Sequence, residues 1–436
     1  MTDSGSAAAA AAGEISGVVE HCFRHEAGKI VSTLTRKFGA KHLNLAEDVV
    51  QEALARALQT WPYYGIPKNP AAWLTQVSKN LALDLIRRDK VFRNKEIDIS
   101  NFMENSQAPP GGGDSVSFKD EIRDDSLWMI FMCCHPAVPR EAQVALALKT
   151  ICGFSAGEIA KAFLTSEAAV MKRLTRAKRR IREASIPFEL PAGDELAERL
   201  DAVLDTVYLL FNEGYKASGG DRLIRSDLCS EAIRLCTLLA RHPLSNRPGV
   251  HALLALMLLN GSRLPARTDP DGNILLLKDQ DRSLWDREMI AKGLFHLVQS
   301  AEGEEVSVYH LQAGISACHC AAPDYESTDW RRILHYYDIL TAIDGSPVAA
   351  LNRAVAVAKV HGPQAGIEAV KAIHNRDQLE NYYLLYAVLG EFEELLGNRK
   401  AAAEYFRKAL DLVTIKSERK LLMKRIRDIE SGRRSA

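Results

Sequence analysis

The chain has 436 residues, of which 47% are hydrophobic, 26% charged and 7% aromatic, and its 56 Lys+Arg balance 56 Asp+Glu. That length builds two or three domains with their own cores. Zero net charge excludes a protein that is basic throughout, so a nucleic-acid contact must be local. The eight cysteines include no CxxC pair, which excludes a disulfide framework and fits a reducing compartment.

Apolar residues recur at three- and four-residue spacing along most of the chain, which predicts an all-α fold. Residues 1–14, MTDSGSAAAAAAGE, read as a flexible tail, because the alanine run lacks the basic and long apolar regions of a signal peptide. The most apolar run, ALLALMLL at 252–259, is too short to span a bilayer. No membrane contact is expected.

A first helical block occupies 15–96. Within LNLAEDVVQEALARALQTW (43–61), Glu47, Asp48, Gln51 and Glu52 form an acidic, hydrogen-bonding face suited to a basic groove on a partner. In IPKNPAAWLTQVSKNLALDLIRRDK (66–90), Asn69 can cap a helix whose first turn holds Pro70, with Trp73 and Leu74 in the core. Lys79, Asn80, Asp84, Arg87 and Arg88 return at helical spacing as a polar stripe. Asn69, Lys79 and Asn80 can bond an exposed base or a phosphate, while Arg87 and Arg88 suit backbone phosphates. A loop between Trp61 and Asn69 carries Tyr63, Tyr64, Gly65 and Lys68; the two tyrosines either stack on bases or pack beneath the loop.

Residues 97–123 contain Pro109-Pro110 and three consecutive glycines, the composition of a linker. A second block, 124–186, ends in FSAGEIAKAFLTSEAAVMKRLTRAKRRIR (154–182). Two helices separated by a turn at Leu164-Thr165, with Ser166 as N-cap of the second, form a helix-turn-helix pattern. Residues 167–182 hold seven cations and one acid; a merely solvated helix gains more from mixed signs. The second helix presents Ala168 and Ala169, which permit close approach to a groove, followed by Lys172, Arg173, Arg176 and Arg179, which reach bases or phosphates.

After the prolines of SIPFELP, residues 187–436 form a third helical block. Tyr386, Leu389, Gly390, Gly397, Ala402, Phe406 and Ala409 follow the spacing of a tetratricopeptide unit, and Gly362 lies 35 residues before Gly397, close to the repeat length of about 34 residues. His21 and His25 lack further ligands nearby, and Cys318-His319-Cys320 and Cys133-Cys134-His135 lack zinc-site spacing. No catalytic constellation, metal site or cofactor is expected.

Taken with their order, the AEDVVQEALARAL, NPAAWLTQVSKNLALDLIRR and 154–182 segments resemble an extracytoplasmic-function sigma factor of bacterial RNA polymerase. LLFNEGY (209–215) and DQDRSLWD (279–286) resemble the group carrying a C-terminal tetratricopeptide-like extension. The resemblance implies a cytoplasmic, non-enzymatic protein. Residues 15–96 would bind core polymerase (Glu47, Asp48, Gln51, Glu52) and the minus-ten element (Lys68, Asn69, Lys79, Asn80, Arg87, Arg88). Residues 124–186 would bind the minus-thirty-five element, and the extension would regulate activity through a protein partner or an intramolecular contact. In that family the linker threads toward the polymerase channel, where Asp98, Glu104 and Asp114 would mimic nucleic-acid charge. A conventional helix-turn-helix regulator, or a scaffold with vestigial sigma modules, stays open at this point.

Overall fold

A computed structural model describes residues 4–93, 124–163, 165–184, 191, 194–217, 224–303, 305–413 and 415–431 of the protein. The linker 97–123 with Asp98, Glu104 and Asp114, SIPFELP apart from Pro191, and Leu164 lie outside the described residues. Among the described residues the fold is all-α, with nineteen α-helices and one β-bridge between Thr268 and Ile274. None of these helices is long and apolar enough to cross a membrane. The chain divides into two compact units, Met1–Thr206 and Val207–Ala436.

The N-terminal unit opens with helices α1 (Ser4–His25), α2 (Ala27–Phe38), α3 (Leu43–Tyr64) and α4 (Pro70–Arg93). Helix α1 begins inside the stretch that the sequence marks as a loose tail. Alanine loses the least on entering a helix, so the alanine run extends α1 toward the N-terminus. Ile15, Val19, Val31, Leu34, Val49, Val50, Leu54 and Leu74 are buried at the three- and four-residue spacing of inward stripes. Gly65, with φ of 80°, ends α3 in a conformation that side chains rarely adopt. Helix α3 therefore continues past Trp61 to Tyr64, and Tyr63 and Tyr64 belong to its last turn rather than to the expected loop.

Four shorter helices follow: α5 (Asp125–Cys133), α6 (Arg140–Thr150), α7 (Ala156–Ala162) and α8 (Glu167–Glu183). Their core includes Leu127, Ile130, Phe131, Leu146, Leu148, Phe154 and Ile159. This bundle packs on the first one. The Thr33 hydroxyl donates to Asp125 at 2.9 Å, and Arg36 pairs with the same carboxylate at 2.7 Å. Gly28 lies so close to the end of α6 that a Cβ there would sit 2.0 Å from the Ile151 carbonyl oxygen. Helix α9 (Asp194–Tyr215) contributes its first turns to this unit, where Asp205 accepts from Arg140 at 2.7 Å. The compact unit thus runs on to Thr206, beyond the boundary at 186–187 drawn from the prolines. A proline breaks a helix, but it does not decide against which core the next helix packs.

The C-terminal unit contains α10 (Ser226–Arg241), α11 (Pro248–Gly261), α12 (Arg287–Gln299), α13 (Val308–Ala321), α14 (Trp330–Ile343), α15 (Pro347–His361), α16 (Pro363–Lys371), α17 (Tyr383–Leu395), α18 (Arg399–Leu412) and α19 (Lys416–Glu430). Most successive helices pack on one another, so each layer is covered by the next. Helix α11 is enclosed nearly all round, with Val250 to Leu259 buried, as an apolar helix without a polar face must be. Small residues set the closest approaches. A Cβ on Gly390 would stand 2.9 Å from the Phe406 ring, and one on Gly366 2.6 Å from the Ala358 methyl. Gly362 and Gly397 end α15 and the α17 hairpin turn with φ of 92° and 83°.

Candidate nucleic-acid interface

The basic helix is fixed by caps and an apolar stripe. Ser155 and Glu158 form a reciprocal capping box at the start of α7: the Glu158 amide donates to the Ser155 hydroxyl at 3.1 Å, and the Ser155 amide to the Glu158 carboxylate at 2.6 Å. The Ser166 hydroxyl accepts from the Ala169 amide at 3.3 Å, capping α8, and Glu167 occupies the first turn, where the helix dipole favours a carboxylate. Val170, Leu174, Ala177 and Ile181 are buried against α6 and α7. Burial of each of the larger three stabilises the packing by about 1.5–3 kcal/mol.

That stripe turns the cations outward unequally. Ala168, Lys172, Arg176, Arg179, Arg180 and Arg182 are exposed, and Ala169 is half-buried. Lys172, Arg176 and Arg182 carry no ion pair among the described residues. Arg173 pairs with Glu141 at 2.8 Å, and Arg179 lies 3.5 Å from Glu183. A recess of about 300 Å³ is lined by Arg173, Arg176, Arg179 and Arg180 beside Glu141, a concentration of guanidinium groups with the chemistry of a phosphate contact. Lys178 behaves differently. It turns inward and pairs with Glu47 of α3.

In the first bundle Asp48, Gln51 and Glu52 are exposed along one side of α3, with Glu52 accepting from Arg56 at 2.9 Å. Glu47 does not share their open face. Its side chain is 21% exposed, one carboxylate oxygen meets Lys178, and the other accepts from the Thr150 hydroxyl at 3.0 Å. Helical spacing put Glu47 beside Asp48, but it sits one residue nearer the buried stripe of Ala46, Val49 and Val50.

Asn69 caps α4, its side-chain oxygen accepting from the Ala72 amide at 3.0 Å. Lys68, Asn69, Asn80, Arg87 and Arg88 are exposed and Lys79 is half-buried. Asn80 accepts from Gln76 at 3.0 Å. Leu74 is buried, and Trp73 meets the buried Trp61 edge-on with ring centroids 5.5 Å apart. Tyr63 and Tyr64 are 84% and 87% exposed, so neither packs beneath a loop and both rings are open to a partner. Sequence reasoning counted Lys178 among the seven cations of 167–182 but missed its partner. Its signal was position: it lies directly after the buried Ala177, at the edge of the apolar stripe.

The His21 and His25 rings lie with centroids 4.3 Å apart, tilted by 37°. No cluster of three or more metal-ligating side chains occurs among the described residues. Cys133 and Cys134 are buried in the N-terminal unit, and burial pushes the Cys134 thiol up to about 12.

Family models match both bundles and part of the C-terminal unit. Residues 22–91 match sigma-70 region 2, residues 128–181 match sigma-70 region 4, and residues 199–301 match a family of unknown function, DUF6596. An uncharacterized protein of Rhizobium meliloti (strain 1021), R00370, is 40% identical over 397 residues, covering 89% of this chain and 92% of that protein. The probable RNA polymerase sigma factor RfaY of Xanthomonas campestris pv. campestris is 27% identical over 139 residues, covering 31% of this chain and 33% of that protein. No solved structure matches. With sigma-70 region 2 on α1–α4 and sigma-70 region 4 on α5–α8, the chain belongs to the sigma-70 family of sigma factors.

Proposed function

We propose that the protein is an extracytoplasmic-function-type sigma factor that binds core RNA polymerase in the cytoplasm, recognises a two-part promoter and starts transcription. It acts by binding and positioning, without a catalytic centre or cofactor of its own. The observation that carries this reading is the outward cation face of α8 on a region 4 bundle, in the same chain as a region 2 bundle with an exposed acidic α3.

Asp48, Gln51 and Glu52 form the docking face for a basic groove of the polymerase. Glu47 joins them once Lys178 is withdrawn, so docking and the contact between the two bundles compete for one carboxylate. Lys68, Asn69, Lys79, Asn80, Arg87 and Arg88 bind the minus-ten element, with Tyr63 and Tyr64 as stacking platforms for unpaired bases, since aromatic faces accept any base. Ala168 and Ala169 let the start of α8 enter the major groove of the minus-thirty-five element. Lys172, Arg173, Arg176 and Arg179 supply base and phosphate contacts there.

The helix pairs α15–α16 and α17–α18 are read as tetratricopeptide-like units of an extension that regulates transcription through a protein partner or an intramolecular contact. The test is transcription in vitro from a dedicated promoter with purified core polymerase. Promoter-specific transcripts that require the protein support the reading. Promoter binding with no affinity for core polymerase would instead identify a conventional helix-turn-helix regulator.

A further inference from the structure

The C-terminal unit contains an open-mouthed cavity of about 670 Å³, within the 300–1,000 Å³ range of small-ligand sites. Five helices build it, among them α14 with Tyr337 and Leu340. Helix α9 brings Tyr208, Phe211, Asn212 and Tyr215, and α13 brings Val308, Gln312, Ile315 and His319. Helix α11 adds Leu256 and Asn260, and α15 adds Val348 and Asn352. The walls are thus aromatic and aliphatic, interrupted by four side-chain amides. An amide side chain carries both a donor and an acceptor, the complement of a peptide group.

The Asn212 and Gln312 side chains bond Tyr208, but several polar atoms of the lining have no protein partner. Gln312 Oε1, His319 Nδ1 and Arg263 Nε are buried atoms without a hydrogen bond, a costly state for a polar group unless something else meets it. Arg263 lies over the Trp285 ring at 5.4 Å. Arg263 and Asp344 both line the cavity, and neither has an ion-pair partner among the described residues. They also do not pair with each other. The lining therefore offers one free cation and one free carboxylate. His319 adds no charge near neutral pH, because burial and the nearby Arg263 and Arg282 guanidinium groups lower it to about 3.

We propose that this cavity is a binding site for a short free peptide, held by its carboxylate at Arg263, by its amine at Asp344, and by its amide groups along Asn212, Gln312 and Asn352. A phosphorylated metabolite fits less well, since its two negative charges would meet one cation and one carboxylate. The aromatic and aliphatic walls accept apolar side chains of the peptide. The binding measurement uses neither polymerase nor promoter, so its outcome stands apart from the sigma-factor reading.

The test is isothermal titration of the full-length protein with an equimolar pool of unmodified tripeptides. Parallel pools carry an amidated C-terminus or an acetylated N-terminus, and a mixture of nucleoside diphosphates serves as contrast. The unmodified pool is expected to bind about tenfold or more tightly than either blocked pool, the effect of losing one charged hydrogen bond. In Arg263→Gln the discrimination against amidation disappears, and in Asp344→Asn the discrimination against acetylation disappears. Asn352→Leu, expected to weaken binding of every peptide pool, serves where a charge variant fails to fold. No peptide binding, equal binding of blocked and unblocked pools, preference for the diphosphates, or unchanged discrimination in folded variants overturns the proposal.

Discussion

Lys178 of the basic helix and Glu47 of α3 form an ion pair that joins the region 4 bundle to the region 2 bundle, with side chains 22% and 21% exposed. Thr150 donates to the second oxygen of the same carboxylate at 3.0 Å. The Glu47 carboxylate is therefore occupied within the chain, and one cation of the basic run faces its own protein. In the proposed reading the pairing leaves Lys172, Arg173, Arg176 and Arg179 for DNA contact, and Glu47 serves both docking and internal packing.

A double-mutant cycle on Glu47→Ala and Lys178→Ala should return a coupling of about 1–2 kcal/mol in urea unfolding, the range for a partly screened, charge-assisted bond. Additive single effects would show that the pair contributes no net stability.

Gly28→Ala should destabilise the N-terminal unit by about 1–3 kcal/mol, because the added methyl would meet the Ile151 carbonyl, 2.0 Å from its ideal position. The same change at Gly13, with nothing within 4 Å, should leave the urea midpoint unchanged or raise it slightly. Equal behaviour of the two variants would refute the close packing of α2 on the end of α6.

Neutralising Arg173 and Arg176 to glutamine should weaken promoter binding and flatten its salt dependence by roughly two phosphate contacts. Arg176 should contribute more, because Arg173 already pairs with Glu141 at 2.8 Å. Binding to core polymerase, measured separately, should be nearly intact. Loss of both activities with normal folding would reject the assignment of α8 to DNA.

Stability of the C-terminal unit should fall as the pH drops below about 6.5. His319 is held down to about 3 by burial, Arg263 and Arg282, and burial also lowers His251 and His296, whose Nδ1 atoms lie 2.8 Å apart. A histidine lowered by folding stabilises fully above its unfolded value, and that contribution is lost as the pH falls toward the folded value. His319→Gln should make the decline between pH 6.5 and 3 shallower. An unchanged slope would mean that this imidazole does not take up its proton on unfolding.

Much of the basic helix was legible in sequence. The three- and four-residue spacing of Val170, Leu174, Ala177 and Ile181 gave its inward face, and Ser166 its start. Local rules suffice there, because a cap and a stripe lie within one helix. They did not suffice for Glu47: its helical face was visible, but Lys178 and Thr150 arrive from distant segments. The start of α1 was missed because an alanine run can be read either as low complexity or as helix former. The cavity of the C-terminal unit had no local signature. Asn212, Arg263, Gln312, Asp344 and Asn352 stand on separate elements, and each looks ordinary beside its own neighbours.

Docking specificity has its own check. Asp48→Lys with Glu52→Lys should weaken binding to core polymerase through like-charge contact with a basic surface, while promoter preference in any complex still formed stays the same. Unaltered affinity for the core would remove α3 as the docking face.

The central claim is tested most directly by run-off transcription with purified core polymerase on a library of upstream DNA fragments from a genome that encodes the protein. Addition of the full-length chain should produce discrete transcripts from a small set of fragments sharing two spaced elements, and Arg173→Gln with Arg176→Gln should abolish them. Absence of protein-dependent transcripts, with the chain folded and core polymerase active with another sigma factor, would contradict the account.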